Sequence, residues 1–107
     1  MSTVGKGSRW RHRVQEWLGA IGAVTTATRW MEPGDDIKAS LGSTMLSLEC
    51  KDHRSLNLAG WVDQANRNAI DPAIGIVIAH RLGKADVDNA YVIMSGHMFA
   101  RLLKELG

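Results

Sequence analysis

Residues 35–51 read DDIKASLGSTMLSLECK, and this stretch decides the fold. Two runs with the composition of strands, 35–41 and 44–51, flank Gly42-Ser43, a two-residue connection whose glycine can take a positive φ. We therefore predict a β-hairpin. A hairpin closed by this turn places positions 36 and 49 almost directly across the ladder, because their numbers have the same sum as those of the two turn residues.

The segments on either side of the hairpin alternate between helical and strand patterns. Apolar residues at three- and four-residue steps predict helices over about 8–21 and 58–69, and a third, closing helix around 99–103. Strands are predicted over 23–30, 73–79 and 90–94, and the run at 73–79 lacks alternation, as in a strand covered on both faces. The order α-β-β-β-α-β-β-α predicts an α/β fold, a mixed central β-sheet flanked by helices.

The length and composition favour one folded unit. A chain of 107 residues, 45% hydrophobic and 22% charged, is expected to form a single domain spanning residues 1–107. A domain of this size buries a modest core, so that a homodimer interface would be a natural supplement.

The net charge is only +2, but the amino-terminal third is distinctly basic. Against the single acid Glu16, residues 1–31 carry five basic side chains, which we take as candidate DNA-binding residues: Lys6, Arg9, Arg11, Arg13 and Arg29. Such a cluster suits a phosphate-binding surface. A solvated helix face would have the same composition, and the cluster alone does not decide between the two.

Cys50 is the only cysteine, so no intrachain disulfide can form and a reducing, cytoplasmic compartment is expected. The first residues have no apolar core of a signal peptide, and the longest apolar run, around 74–79, is too short to span a bilayer. Neither secretion nor a membrane partner is indicated.

The hairpin gathers residues that suit phosphodiester hydrolysis. The strand period puts Glu49 and Lys51 on one face, with Asp36 brought opposite by the turn. Two carboxylates and the backbone carbonyl of Cys50 form an oxygen-only site suited to Mg²⁺ or Mn²⁺. Lys51 can orient an attacking water and offset charge developing on phosphorus. Asp36, Glu49 and Lys51 are therefore the candidate catalytic residues.

A Glu-X-Lys triplet alone is weak, because it arises by chance in about a third of chains this long. An exposed strand edge also carries such a pair purely for solubility. The functional interpretation depends on the conjunction of Asp36, the hairpin, the element order and the basic first helix.

Several of these segments resemble the PD-(D/E)XK nuclease superfamily. They are Lys6-Gly7, Gly34-Asp35-Asp36-Ile37 and Leu48-Glu49-Cys50-Lys51. Within that superfamily the chain most resembles the small Holliday-junction resolvases of archaea and bacteriophages, through Gln64-Ala65 and the strand that ends in His80-Arg81. The resemblance covers nearly the whole chain. It implies Mg²⁺-dependent cleavage of four-way or other branched DNA by a homodimer, in the host cytoplasm for a phage protein, with Asp36 and Glu49 as metal ligands and Lys51 as the catalytic lysine.

One position departs from this resemblance. Resolvases of this type usually carry a glutamate in the first helix, where this chain has Arg11. Glu16 is the nearest substitute as a metal ligand, but it could simply pair with Arg13 or Arg9, and Gln15 could make a water-mediated contact.

The second helix and the histidines offer further candidates. Gln64 could reach the site through a water, as a glutamine does in related nucleases, or could simply be a polar helix flank. Asn68, one turn later, is expected to be solvated. The four histidines give no zinc-ligand spacing, and only His53, two residues past Lys51, is a candidate for the site.

Three functions remain open at this point. The leading one is a structure-selective endonuclease, a Holliday-junction resolvase. The second is a DNA-binding or accessory module on the same fold, in which the missing helix acid leaves metal binding too weak for turnover. The third is an unrelated α/β interaction domain in which Glu49 and Lys51 are a solvated pair.

Overall fold

The structure, a computed structural model, describes residues 6–28 and 34–107, with only the backbone at residues 6 and 7. Three α-helices and five strands follow the predicted order, and a 3-10 helix, Val87–Asn89, was not predicted. The helices are α1 (Lys6–Ile21), α2 (Leu58–Asn68) and α3 (Gly96–Leu106). The strands are β1 (Val24–Ala27), β2 (Ile37–Leu41), β3 (Thr44–Lys51), β4 (Ile74–Ala79) and β5 (Tyr91–Ile93).

The five strands form one mixed sheet in the spatial order β1-β2-β3-β4-β5. β3 and β4 are parallel, whereas the other three neighbouring pairs are antiparallel. The parallel pair is joined through α2, as the crossover between parallel strands requires. The predicted fold class, a mixed sheet flanked by helices, is confirmed.

Helices cover both faces of this sheet. On one face α1 inserts Trp10, Val14 and Leu18 into a core shared with Met98 of α3. On the other face Trp61 and Ala65 of α2 pack with Val77 and Ala79, the β4 residues that alternate with those facing α1. All six residues of β4 are buried, which explains its unbroken apolar sequence.

Gly75 lets α2 approach β4 closely. A Cβ atom at this position would lie 2.6 Å from the carbonyl oxygen of Ala65, nearer than side chains pack in proteins. A side chain there would push α2 away from the sheet, and with it the residues that α2 presents to β3.

The predicted hairpin is confirmed, including its register. Gly42 has a φ of +61°, and the β2–β3 ladder runs from Leu41 opposite Thr44 to Ile37 opposite Leu48. β1 is shorter than predicted, and the end of the predicted strand, at 29–30, lies outside the described residues. In the described part of the chain no helix is long and apolar enough to cross a membrane.

Candidate functional site

The two faces of β3 have different chemistry. Leu46, Leu48 and Cys50 pack with the core under α1. The alternating residues Glu49 and Lys51 turn to the side of α2, where both make hydrogen bonds to its side chains. The predicted alternation is thus observed, and the candidate catalytic residues share the α2 side of the sheet.

Asp36 lies one residue before the first residue of β2, beside β3. Its backbone N–H donates to the carbonyl oxygen of Leu48 at 3.0 Å, and its carboxylate oxygen Oδ2 accepts from the backbone N–H of Cys50 at 2.8 Å. The hairpin therefore brings the Asp36 carboxylate to the Glu49-Cys50-Lys51 triplet and anchors it on the backbone of that triplet.

Glu49 is a buried acid, with 1% of its surface exposed. Its pKa is raised from 4.5 to about 7, mainly by burial and also by the nearby carboxylates of Asp36 and Asp35, against the opposing effect of a hydrogen bond from Asn68. The ammonium of Lys51 lowers it. Ionisation of Glu49 is therefore costly, mainly because of its burial, and a nearby cation would offset that cost.

Lys51 extends toward α2. Its Nζ donates to Oε1 of Gln64 at 2.6 Å. Gln64 was predicted either to reach the site through a water or to be a polar helix flank, and it instead contacts the candidate catalytic lysine directly. This contact fixes the direction in which the Lys51 ammonium lies.

Asn68 is a site residue that the sequence analysis missed. Its Nδ2 donates to Oε2 of Glu49 at 2.8 Å and to the carbonyl oxygen of Gly34 at 3.1 Å. The expectation that Asn68 is solvated is wrong, because it bridges Glu49 to the segment that carries Asp36. Its position one helical turn after Gln64, on the same side of α2, was a usable signal.

Asp35 is a second acid that the sequence analysis did not single out. Its side chain is 3% exposed and accepts from the hydroxyl of Ser47 at 2.6 Å and from Nζ of Lys38 at 3.2 Å. The hydroxyl of Thr28 also donates to it at 3.3 Å. Asp35 therefore connects the residue after β1 to the start of β2 and to the middle of β3.

The predicted DNA-binding residues divide into three groups. Arg11 is turned inward, and its Nη1 donates to the carbonyl oxygen of Thr28 at 3.1 Å. Arg9 and Arg13 are exposed on α1. The side chain of Lys6, and Arg29 as a whole, lie outside what the structure describes.

Neither substitute for the missing helix acid is at the site. Glu16 pairs with His12 at 3.3 Å, and both side chains are exposed. Gln15 donates to the hydroxyl of Thr25 at 3.1 Å, which ties α1 to β1. His53 is exposed and its ring contacts that of Trp61, with 5.5 Å between centroids.

The donors available for a metal ion are few. Among the described residues, no group of three or more His, Cys, Asp or Glu side chains could hold one. Burial raises the pKa of the Cys50 thiol, and the Asp36 and Glu49 carboxylates raise it further, so Cys50 could contribute only its backbone carbonyl. The predicted set, the carboxylates of Asp36 and Glu49 with the backbone carbonyl of Cys50, therefore contains two side chains.

These two side chains nevertheless fit a hard cation. Asp36 is hydrogen-bonded through Oδ2 and Glu49 through Oε2. In the described part of the chain, no donor reaches the other oxygen of either carboxylate. Each therefore keeps an acceptor oxygen, and a divalent cation would offset the like-charge repulsion between them.

Comparison with known proteins gives a fold but no family. No protein-family model and no curated protein matches the chain. Among solved structures it is similar to Hjc of Archaeoglobus fulgidus, a Holliday junction resolvase from an archaeal hyperthermophile, with a TM-score of 0.61 and 20% sequence identity. The match covers 94% of this chain and all of Hjc, and at this identity it establishes a shared fold.

Proposed function

We propose that this chain is a metal-dependent, structure-selective DNA endonuclease, a Holliday-junction resolvase that hydrolyses phosphodiester bonds of branched DNA in the cytoplasm. The observation that carries the proposal is the gathering of Asp36, Glu49 and Lys51 beside β3. Glu49 is held buried next to a second carboxylate, an arrangement that disfavours its charged form. Such a cost is typical of residues kept for chemistry.

Each residue of the site has a distinct role in this proposal. Asp36 and Glu49, with the carbonyl of Cys50, would hold Mg²⁺ or Mn²⁺. Bound there, the metal supplies Lewis-acid polarisation of the phosphate and lowers the pKa of a water. The ammonium of Lys51 orients that water and offsets negative charge on the phosphate, and Gln64 holds the ammonium in place.

The expected partner is DNA. Exposed arginines on α1 supply positive charge for phosphates, and the fold shared with a Holliday junction resolvase favours a branched substrate. A four-way junction has symmetric strands to be cut, which suits a homodimer. We therefore propose branched DNA as the substrate and a homodimer as the active form.

Cleavage assays test the proposal directly. Labelled four-way, flap and linear DNA are incubated with the protein in Mg²⁺ or in chelator. We expect Mg²⁺-dependent cleavage of the four-way junction, lost in Asp36→Asn and in Lys51→Ala. Matched controls are Asp86→Asn and Lys104→Ala, which change exposed residues elsewhere and should cleave as the wild type does.

The outcomes separate the three candidate functions. Cleavage that survives both Asp36→Asn and Lys51→Ala would exclude the assigned site. A protein that binds junctions but cuts none of them with any divalent ion would be an accessory module. Failure to bind any DNA would favour the interaction domain.

One observation favours the accessory module as a second candidate. The described residues offer no metal-binding group of three side chains, and Arg11, where related resolvases carry an acid, is bonded to the backbone at the end of β1. A site with two carboxylates binds a divalent cation less tightly than one with three, and turnover would fall accordingly.

A further inference from the structure

The end of β3 has a second polar site on the side opposite Lys51. Lys51 turns toward α2, whereas the next residue, Asp52, contacts His80, whose ring stacks on Trp10 of α1. Arg9 and Arg13, one helical turn apart, complete the walls of a cleft of about 290 Å³. This volume is near the lower limit for ligand pockets, so the cleft suits a group of the size of a phosphate and its sugar.

His80 links the elements of this cleft. Its Nδ1 lies 2.9 Å from Oδ1 of Asp52, and its Nε2 lies 2.6 Å from the carbonyl oxygen of Lys84. The ring therefore contacts both the residue that follows β3 and the segment that follows β4. The ring is stacked on Trp10, with 4.4 Å between centroids and 16° between planes.

Two arginines and one acid line the cleft. Among the described residues that line it, Asp52 is the only acid, and its side chain is 8% exposed and pairs with His80. Glu16, the acid of α1, pairs with His12. In the described part of the chain neither Arg9 nor Arg13 has a hydrogen bond or an ion pair, so both guanidinium groups remain available to an anion.

The chemistry selects the class of ligand. Guanidinium groups bind phosphate oxygens through pairs of parallel hydrogen bonds, and two arginines at i and i+4 lie close enough to share one phosphate. We propose that this cleft, which we call the Arg9–Arg13 cleft, binds a backbone phosphate of the DNA strand close to the one being cut. The inference rests on the proposed nuclease function and adds a second contact to it.

The position of the cleft gives this contact a purpose. Lys51 and Asp52 are adjacent in sequence, and the backbone N–H of His80 donates to the carbonyl oxygen of Lys51 at 2.9 Å. A DNA strand that passes the end of β3 can therefore place one phosphate at Lys51 and a neighbouring phosphate at Arg9 and Arg13. Phosphate contacts of this kind fix the register of the nucleic acid on the protein.

Junction binding at increasing salt tests the proposal. Affinity of a labelled four-way junction is measured in chelator, which keeps binding apart from cleavage. We expect Arg9→Gln/Arg13→Gln to bind at least about tenfold more weakly and to lower the slope of log affinity against log salt by about 1. Arg9→Lys/Arg13→Lys keeps the charge but loses the forked geometry, so it should retain most of the slope and lose affinity.

Single substitutions provide the matched control. Arg13→Gln and Lys104→Gln each remove one positive charge from an exposed helix position, and only the first lies at the cleft. Equal losses of junction affinity in these two variants would overturn the proposal, because the loss would then come from the lower net charge and not from the cleft. Unchanged binding in Arg9→Gln/Arg13→Gln, while the wild type binds and cuts, would also overturn it and leave the proposed function standing. A wild type that binds no DNA would remove both.

An NMR titration shows whether the cleft binds DNA or free phosphate. The ring signals of His80 are followed by NMR during titration with a single-stranded tetranucleotide, and separately with inorganic phosphate. We expect the tetranucleotide to shift them in the wild type and not in Arg9→Gln/Arg13→Gln. A response to inorganic phosphate with none to the tetranucleotide would identify a free-anion site and contradict the proposal.

Discussion

The two sides of β3 bury very different groups. The side that faces α1 packs hydrocarbon and an indole against each other, with Trp10 and Val14 at most 1% exposed. The side that faces α2 buries Ser47 and Glu49 together with the neighbouring Asp35, all of them at most 3% exposed. We call these the apolar side and the polar side of β3.

The difference separates stability from function. Burial of apolar surface stabilises the fold, whereas a buried carboxylate beside another carboxylate destabilises it. The raised pKa of Glu49 records that cost. We therefore expect substitutions on the apolar side to lower stability, and substitutions on the polar side to lower activity while some of them raise stability.

The largest effect is expected on the apolar side. Trp10→Ala removes a fully buried indole that donates to the carbonyl oxygen of Ile78 at 3.1 Å and stacks on His80. We expect the free energy of unfolding to fall by about 3–5 kcal/mol, measured by chemical denaturation. The control Val24→Ala changes a residue that is 72% exposed and should cost about 0.5 kcal/mol or less. Similar losses in the two variants would contradict the contrast.

Glu49→Gln is expected to raise the free energy of unfolding, whereas Trp10→Ala lowers it. Because the pKa of Glu49 is raised from 4.5 to about 7 in the folded chain, the folded state binds the proton more tightly than the unfolded one. The contribution of Glu49 to the free energy of unfolding is therefore most favourable below pH 4.5 and falls as the pH rises to 7. Glu49→Gln removes this loss and should stabilise the protein at pH 8 by about 1–3 kcal/mol.

Denaturation at pH 5 and pH 8, without divalent ions, measures this difference. The control Glu105→Gln alters an exposed acid on α3 and should change neither value by more than about 0.5 kcal/mol. Added Mg²⁺ at pH 8 should stabilise the wild type and not Glu49→Gln. If Glu49→Gln is less stable than the wild type at pH 8, the carboxylate stabilises the fold and the prediction is wrong.

Local features of the sequence were enough for the hairpin and for β4. Gly42-Ser43 defined the turn, and the register that followed from it carried the Asp36 carboxylate to β3. The unbroken apolar run of β4 predicted a strand buried on both faces, as it is. These features depend on neighbours within one hairpin or on the period of one strand, which the sequence displays directly.

Contacts between distant segments were not visible in the same way. The amide of Asn68 bridges Glu49 and Gly34, which are separated from it by 19 and 34 residues. Its placement depends on how closely α2 approaches the sheet, and therefore on Gly75. Arg11 likewise reaches Thr28 only because α1 lies across β1. The direction of a side chain on a helix surface depends on how the helix packs against the sheet. A periodic sequence pattern does not show that packing.

Asn68→Ala tests whether the polar side positions its carboxylates. The substitution removes the donor to Glu49 and releases the Gly34 segment that leads to Asp36. We expect cleavage to fall by about 10- to 100-fold at limiting Mg²⁺, with partial recovery at high Mg²⁺. Asn89→Ala, at an exposed position in the 3-10 helix, is the control. If Mg²⁺ dependence is unchanged, Asn68 does not position the metal-binding oxygens.

The smallest effect is expected at Gln64, which touches the site only through Lys51. Gln64→Ala leaves the Lys51 ammonium without its 2.6 Å acceptor, so the ammonium loses its fixed direction but keeps its charge. We expect a loss of about tenfold or less in the cleavage rate, with junction binding in chelator unchanged. Gln64→Glu restores an acceptor and should recover most of that rate. If Gln64→Ala and Gln64→Glu lose activity equally, the acceptor is not what α2 contributes, and the polar side would depend on Asn68 alone for its support by that helix.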